Sequence, residues 1–244
     1  MTIEAVVNET ERWTTPGGHE AIFTYRYRPE TTDWNSISSI LTHDEYGIRA
    51  LALTGWAVDV GAHVGSMAIA LALDHPDLRV IAIEPVPDNV RLIALNVEQN
   101  GLSDRVVVLA GGAGAPKAKT QRVAWNWNDG PDGMNTGHRF IGGSHLALDN
   151  PDITHEEVSV PSWSVSRLLA HVGADRFALL KIDCEGCEAA FLTDPAIARI
   201  DRIVGEYHPP YIDPARLHAL LDATHEVTIA DPAAHLGAFM AVRR

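Results

Sequence analysis

One stretch restricts the possible folds of this chain more than any other. An apolar run at residues 56–60 ends in a glycine turn and passes directly into an apolar segment at residues 66–74. Such a run is typical of a buried strand, and the segment is typical of a helix packed on a sheet. The pattern repeats, with strands predicted over 79–84 and 105–110 and a helix over 88–100. Strands and helices that alternate at such short intervals indicate a parallel α/β sheet with helices on both faces.

The same alternation resumes in the C-terminal half of the chain. Strands are predicted over 158–160, 177–183 and 202–207, with helices between and after them. The last two predicted strands, 226–230 and 238–242, are close enough in sequence to pair as an antiparallel hairpin. Such a hairpin would make the mostly parallel sheet a mixed one.

Two segments fall outside this alternation. Residues 1–50 are polar and aromatic, with a strand predicted over 21–27 and a short helix over 37–41, and we expect them to cover a site built by the sheet. Residues 111–151 are rich in Gly, Asn, Asp, His and Trp and show no sustained period, which is typical of a lid or substrate loop. Both segments fit into one domain that spans residues 1–244.

The composition excludes several classes of protein. Asp and Glu outnumber Lys and Arg by 32 to 19, which gives a formal net charge of −13. That charge repels phosphate backbones and anionic membranes, so neither nucleic acid nor a membrane is an expected partner. A hydrophobic content of 46% excludes a disordered protein, and two cysteines are too few for a disulfide framework. No signal peptide or apolar membrane span is recognisable, so we expect a cytoplasmic location.

The turn after the first predicted sheet strand is suited to a cofactor without phosphates. Gly61 permits a sharp turn and Gly65 permits close packing of the next helix. His63 stands where a dinucleotide fingerprint needs its middle glycine, which disfavours a pyrophosphate. Glu84 ends the next strand, where a carboxylate can accept hydrogen bonds from a ribose. Together these residues predict a nucleoside site, although Glu84 could instead cap the following helix and the turn could be a plain connection.

A second group of polar residues follows the later strands. Asp183, Glu185, Glu188, Glu206 and His208 are predicted to gather near the carboxyl edge of the sheet. His208 is the first candidate for a general base because an unperturbed imidazole titrates near neutral pH, and Glu206 could orient it. The alternative is a structural role in the turn that follows. Oxygen-rich groups can hold Mg²⁺ or Ca²⁺, but we expect no metal, since two of these glutamates can serve a helix N-terminus.

Aromatic residues and a histidine in the segment 111–151 are candidates for an acceptor-binding wall. They are Trp125, Phe140 and His145, and the last of these is also a rival base. The alternative is an ordinary surface loop with scattered aromatic side chains.

Four motifs resemble those of a known family. They are V-D-V-G-A-H-V-G at 58–65, I-E-P-V-P-D-N at 83–89, L-K-I-D-C-E-G-C-E at 180–188 and E-Y-H at 206–208. With them the chain resembles the FkbM family of class I S-adenosylmethionine-dependent methyltransferases, most specifically at 180–188. The resemblance implies a Rossmann-like methyltransferase sheet with S-adenosylmethionine as the cofactor.

The resemblance also implies roles for individual residues. The turn would hold the methionine part of the cofactor, Glu84 would hold its ribose, and Asp183 would face the methionine end and the acceptor. The cofactor-binding residues that the resemblance implies are Asp59, Gly61, Ala62, His63, Gly65, Glu84, Pro85 and Asp183. Residues 110–112 are Ala-Gly-Gly where many class I enzymes have a polar residue for the adenine amine, so the adenine contacts are left open. Cys184 and Cys187 occupy variable positions of the motif, and we expect neither a redox nor a zinc role for them.

The expected function is methyl transfer to a small-molecule acceptor, a hydroxyl of a natural product or a sugar. His208, Glu206 and Asp183 are the candidate catalytic residues. Methylation of a small amine is the near alternative. An NAD-dependent oxidoreductase and a cofactor-binding module without activity are alternatives of other classes. The oligomeric state is left open, with a homodimer as one option.

Overall fold

The structure is a computed structural model that describes residues 7–27, 32–125, 138–140, 156–208, 211–230 and 237–244. Its strands are, in chain order, Val7–Thr14 (β1), Glu20–Tyr27 (β2), Gly55–Val60 (β3), Leu78–Glu84 (β4), Val106–Ala110 (β5), Gly112–Ala113 (β6), Thr120–Trp125 (β7), His138–Phe140 (β8), Glu156–Trp163 (β9), Leu179–Ile182 (β10), Arg202–Tyr207 (β11), His225–Ile229 (β12) and Gly237–Arg243 (β13). Its α-helices are Asp33–Leu41 (α1), Ser66–Asp74 (α2), Pro87–Gln99 (α3), Val165–Val172 (α4), Glu188–Phe191 (α5) and Pro214–Leu221 (α6).

Seven strands form the central sheet, in the order β12-β13-β11-β10-β3-β4-β5. Strands β11, β10, β3, β4 and β5 run parallel, and β13 pairs antiparallel with both β11 and β12. The predicted mixed α/β sheet with an antiparallel C-terminal hairpin is therefore confirmed. The chain enters this sheet at β3, adds β4 and β5 on one side, and then crosses to β10 on the other side. A crevice for ligands is expected at the carboxyl ends of strands at such a reversal.

The sheet is buried on both faces by apolar side chains. Helix α2 has residues 66–72 buried, which explains why its sequence is apolar nearly all round. Strand β10 is buried over its whole length, as is usual in a parallel sheet covered by helices on both sides. Among the described residues, no helix combines the length and the hydropathy that a membrane span requires.

The N-terminal segment forms a hairpin of β1 and β2 followed by α1. Helix α1 begins at Asp33, earlier than predicted, and strand β1 was not predicted at all. The hairpin is attached to α3 by two asparagine side chains. Asn96 accepts from Thr24 N (2.8 Å) and donates to Thr24 O (3.1 Å), and Asn100 makes the same pair of bonds with Ile22 at 2.8 and 2.7 Å. These amides satisfy the backbone of β2 where no further strand pairs with it.

A second sheet of four strands, in the order β6-β9-β7-β8, lies in and beside the segment 111–151. The expectation of an irregular segment is wrong for residues 112–113, 120–125 and 138–140, which are strands. Strand β6 could not be recognised in the sequence, because it is only two residues long and pairs with β9, far along the chain. Residues 126–137 and 141–155 lie outside the described residues, so a lid function for this segment stays a prediction.

Candidate active site

A cavity of about 310 Å³ opens at the carboxyl ends of β3, β4, β10 and β11. Helix α1 and the segment after it close one side, and β6 and β7 close another. Most of the residues predicted for the site line this cavity, namely Asp59, Gly61, Ala62, His63, Glu84, Pro85, Asp183 and Glu206. The predicted crevice and these residues therefore coincide in space.

The turn after β3 depends on left-handed backbone conformations. Gly61 has φ +75°, and a Cβ on it would lie 1.8 Å from the backbone oxygen of Asp183. Only glycine fits that close approach between the two strand ends. His63 has φ +53°, an uncommon conformation for a residue with a side chain. Gly65 has φ +88° and lies behind the turn, where a Cβ would meet Ile93 Cγ2 at 3.3 Å.

Glu84 is held from several sides at the end of β4. It is 2% exposed, and its Oε2 accepts from His63 N at 2.9 Å. Its Oε1 accepts from Val86 N (3.0 Å) and from Asn89 Nδ2 (3.2 Å). The carboxylate thus serves the start of α3 and borders the cavity at the same time. A carboxylate has about four acceptor positions, and the second one on Oε2 has no hydrogen bond within the described residues.

Beneath the turn, the buried ammonium group of Lys181 joins the ends of β3 and β10. No role was predicted for this residue from the sequence. Lys181 Nζ donates to Gly61 O at 3.0 Å and lies 3.5 Å from Asp59 Oδ1 and 3.8 Å from Asp183 Oδ2. Burial by itself would lower the pKa of Lys181, but the charges of Asp59 and Asp183 outweigh burial and raise it. The sequence does hold one indication of this role: Lys181 lies two positions before Asp183, and this spacing puts both side chains on the same face of a strand.

His208 lies behind the cavity wall and is surrounded by carboxylates. Its Nδ1 lies 3.0 Å from Oε1 of Glu188, which is fully buried. Its Nε2 lies 3.6 Å from Asp183 Oδ1 and 3.6 Å from Glu185 Oε2. Burial would lower the pKa of His208, but the hydrogen bond to Glu188 and the surrounding carboxylate charges raise it to about 9. At neutral pH this side chain is therefore an imidazolium, which is unsuited to accept a proton.

Glu206 lines the cavity in front of this histidine. Burial raises the pKa of Glu206 to about 7, and the charges of Asp183 and Glu45 add to the effect. A carboxylate with such a pKa can accept a proton near neutral pH. Ligand atoms of Asp183, Glu206 and His208 lie within 4.8 Å of one another, a spacing that could also hold a cation.

Tyr46 approaches the same carboxylates from the segment after α1. Its hydroxyl donates to Asp183 Oδ2 at 3.4 Å. Burial and the charge of Asp183 raise the pKa of Tyr46 far above the usual value, so the phenol keeps its proton. Nothing in the sequence marks Tyr46 as a site residue, because it lies far along the chain from the motifs that it contacts.

The loop after Asp183 is closed by a disulfide bond between Cys184 and Cys187. Cys184 N donates to Glu188 Oε1 at 3.1 Å, and Glu185, between the cysteines, has φ +56°. Neither a redox nor a zinc role was predicted for this pair, and a disulfide between them was not foreseen; in the structure it closes the turn that carries Glu185 towards His208.

The predicted acceptor wall is only partly described. The backbone of Trp125 belongs to β7 and that of Phe140 to β8, but their side chains lie outside the described part of the structure. His145 lies outside it altogether. The assignment of these three residues stays a prediction. Gln121 and Val123 of β7 do line the cavity, which places this strand at its edge.

Comparison with known proteins gives consistent similarities. A family model described as a methyltransferase FkbM domain matches residues 59–227. The chain is 28% identical over 171 residues to 31-O-demethyl-FK506 methyltransferase FkbM of Streptomyces tacrolimicus, covering 62% of this chain and 64% of that protein. It is 44% identical over 57 residues to ribosomal RNA small subunit methyltransferase G of Frankia alni, covering 23% and 22%. The chain thus spans less than two thirds of the length of either relative.

Among solved structures, the chain is similar to the precorrin-6Y C5,15-methyltransferase of Geobacter metallireducens GS-15. The TM-score is 0.48 at 12% identity, with 89% of this chain and 92% of that chain covered.

Proposed function

Because the chain belongs to the FkbM methyltransferase family, we propose that it transfers a methyl group from S-adenosylmethionine to a hydroxyl of a small natural product or sugar. The observation that carries the proposal is the contrast between the two ends of one cavity. One end presents a glycine turn beside Glu84, and the other presents Asp183 and Glu206. Transfer of a group between two bound molecules requires one part of the cavity that binds the donor and another that accepts a proton from the acceptor.

The residues at the turn fit the proposed cofactor. Glu84 keeps an acceptor position on Oε2 for a ribose hydroxyl. At the start of the turn, Gly61 leaves no room for a residue with a side chain. The wall carries the carboxylate of Asp183, which favours a cationic sulfonium over a phosphate, whereas the carboxylate of Asp59 is fully buried and faces Lys181. These features also weigh against an NAD-dependent oxidoreductase, whose pyrophosphate would meet negative charge.

The chemistry divides between the cofactor and this chain. When bound, S-adenosylmethionine supplies an electrophilic methyl group on its sulfonium. Glu206 removes the proton of the acceptor hydroxyl, because its pKa of about 7 makes a fraction of it basic at neutral pH. His208 stays charged behind it and balances the carboxylates, while Asp183 orients the acceptor. This assignment makes Glu206 the base in place of His208, the first candidate from sequence.

The nature of the acceptor has support from two directions. The relative from Streptomyces tacrolimicus is named for methylation at an oxygen, which favours a hydroxyl. The acceptor end carries Glu45, Asp183, Glu185 and Glu206, which would also hold a small ammonium, so methylation of an amine is the second candidate. We further propose that no metal takes part, since Lys181 and His208 already supply positive charge beside these carboxylates.

Calorimetry with S-adenosylhomocysteine and with NAD⁺ tests the cofactor assignment. We expect binding of the nucleoside thioether, with NAD⁺ giving no heat. Binding of NAD⁺ alone would overturn the proposal.

Transfer of a labelled methyl group to three panels then tests the acceptor. The panels are polyhydroxylated small molecules, small amines and ribosomal RNA. Label in the first panel supports the proposal, label in the amines supports the second candidate, and label in RNA only contradicts a small-molecule acceptor.

A further inference from the structure

We infer that the buried Arg26–Asp33 ion pair is a positioning device that sets both His63 and Glu84 at the cofactor end of the cavity. Both members of the pair lie in the N-terminal segment, outside residues 59–227 that match the family model. The positions of His63 and Glu84 follow from hydrogen bonds and distances within the protein alone. Only the identity of the ligand whose binding it supports rests on the proposed function.

The first branch of this device runs from Arg26 to His63. Asp33 is 1% exposed and accepts from Arg26 N (2.9 Å), Nε (2.9 Å) and Nη2 (2.8 Å). Its Oδ1 also lies 3.1 Å from His63 Nε2. Burial would raise the pKa of Asp33, but the hydrogen bonds from His63 and Arg26 lower it well below the usual range. The carboxylate is thus charged and holds the imidazole from outside the turn.

The second branch runs from Arg26 to Glu84. Arg26 Nη2 donates to Asn89 Oδ1 at 2.7 Å, and Asn89 Nδ2 donates to Glu84 Oε1 at 3.2 Å. Because Asn89 is fully buried and its oxygen faces the guanidinium, its amide nitrogen must face Glu84. The guanidinium of Arg26 therefore fixes the orientation of the Asn89 side chain, and Asn89 in turn holds the carboxylate of Glu84.

The two branches close on each other at the turn. His63 N donates to Glu84 Oε2 at 2.9 Å, and His63 keeps φ +53° while its ring is held by Asp33. A residue in this uncommon conformation persists only where its surroundings hold it. With the ring released, the backbone of His63 can leave the left-handed region, and Glu84 then loses a donor. The position of Glu84 thus depends on contacts made 58 residues earlier in the chain, at Arg26 (84 − 26).

The full-length protein with Arg26→Gln and Asp33→Asn together tests this inference. The double substitution removes both charges, so neither is left buried without its partner. The matched control is Arg12→Gln, because Arg12 pairs with Glu20 on the same hairpin with side chains that are 67% and 62% exposed. Arg26→Lys keeps the charge but loses the fork of donors, and it provides a milder variant if the double one fails to fold.

Two readouts separate positioning from folding and from the proposed function. The first is hydrogen exchange of the His63 amide without ligand, expected to accelerate at least tenfold in the double variant and measurably in Arg26→Lys, but not in Arg12→Gln. The second is the affinity for S-adenosylhomocysteine, expected to fall at least tenfold in the double variant and to stay unchanged in Arg12→Gln. The unfolding midpoint of Arg12→Gln should also stay unchanged.

Each pattern of results has a definite meaning. Unchanged exchange at His63 in a folded variant of Arg26 would overturn the inference, as would unchanged affinity beside accelerated exchange. If the wild-type protein binds no S-adenosylhomocysteine while exchange responds as expected, the proposed function fails and the positioning device stands.

Discussion

The two ends of the cavity differ in what surrounds their carboxylates. At the end beside the glycine turn, which we propose holds the cofactor, two carboxylates meet donors: Glu84 accepts three N–H groups, and Asp33 is bound by Arg26 and lies beside His63. At the other end, which we propose binds the acceptor, carboxylates lie beside one another, and the pKa of Glu206 rises to about 7 as a result of burial and these neighbours. The first arrangement fixes geometry, and the second keeps a group ready to exchange a proton.

This difference indicates which substitutions affect binding and which affect turnover. A change at the cofactor end removes a satisfied contact and lowers affinity. A change at the acceptor end alters a proton-transfer group and lowers the rate at saturating cofactor.

The largest effect is expected for Glu206→Gln. The amide cannot accept the acceptor's proton, so kcat should fall about 10²- to 10⁴-fold, the usual contribution of general acid–base catalysis. Affinity for S-adenosylhomocysteine should stay within about twofold, since the hydrogen bonds that hold Glu84 come from His63, Val86 and Asn89 rather than from Glu206. Steady-state kinetics and calorimetry measure both, with Glu226→Gln at an exposed position of β12 as the control. Normal turnover in Glu206→Gln would show that another group takes the proton.

A smaller effect is expected for Glu84→Gln. The substitution places an amide nitrogen against backbone donors, and a hydrogen bond to a charged group contributes about 1.5–3 kcal/mol. Affinity for S-adenosylhomocysteine should therefore fall about 10- to 100-fold, with kcat largely retained at saturation. Glu98→Gln, exposed on the same helix that Glu84 precedes, is the matched control. Equal affinities of the two variants would remove Glu84 from the cofactor site.

The pH dependence of kcat/KM should be bell-shaped. Glu206 works when deprotonated, so the rate should rise through a pH of about 7, and it should fall as His208 loses its charge through a pH of about 9. Outside these limits each pH unit should cost about tenfold. His208→Gln should abolish the alkaline limb and move the acid limb to higher pH, because the charge of His208 lowers the pKa of Glu206. An alkaline limb that survives this substitution would assign it to another group.

The smallest effect is expected from metal removal. If Lys181 and His208 supply the positive charge of the acceptor end, dialysis against a chelator should leave kcat unchanged. Turnover that is lost on chelation and restored by Mg²⁺ would instead place a cation between Asp183, Glu206 and His208.

The sheet could be predicted because its signals are local. The strand that became β3 and the helix that became α2 each carry their own periodicity, and glycines mark the turns between them. The short strand β6 could not be predicted, because two residues have no period and their partner lies in β9.

Several residues of the candidate site were predictable from the sequence, but their roles were not. Glu84 and Asp183 stand at strand ends, where the sequence alone suggests a site. The role of His208 depends on how closely Glu188 and Glu185 approach it, which folding decides. Arg26 and Asp33 carry no local signal, since their partners at the turn and on α3 lie far along the chain.

Strand β13 lies between β11 and β12, yet it is synthesised after both. Until it is made, β11 has an open edge, and Glu206 and Tyr207 lack the neighbours Ala238 and Gly237 that they have in the folded sheet. An open edge of this kind can pair with other chains. The end of the cavity that carries Glu206 thus lacks its neighbouring strand until β13 is made, and nascent chains that stall before residue 237 expose this edge to aggregation.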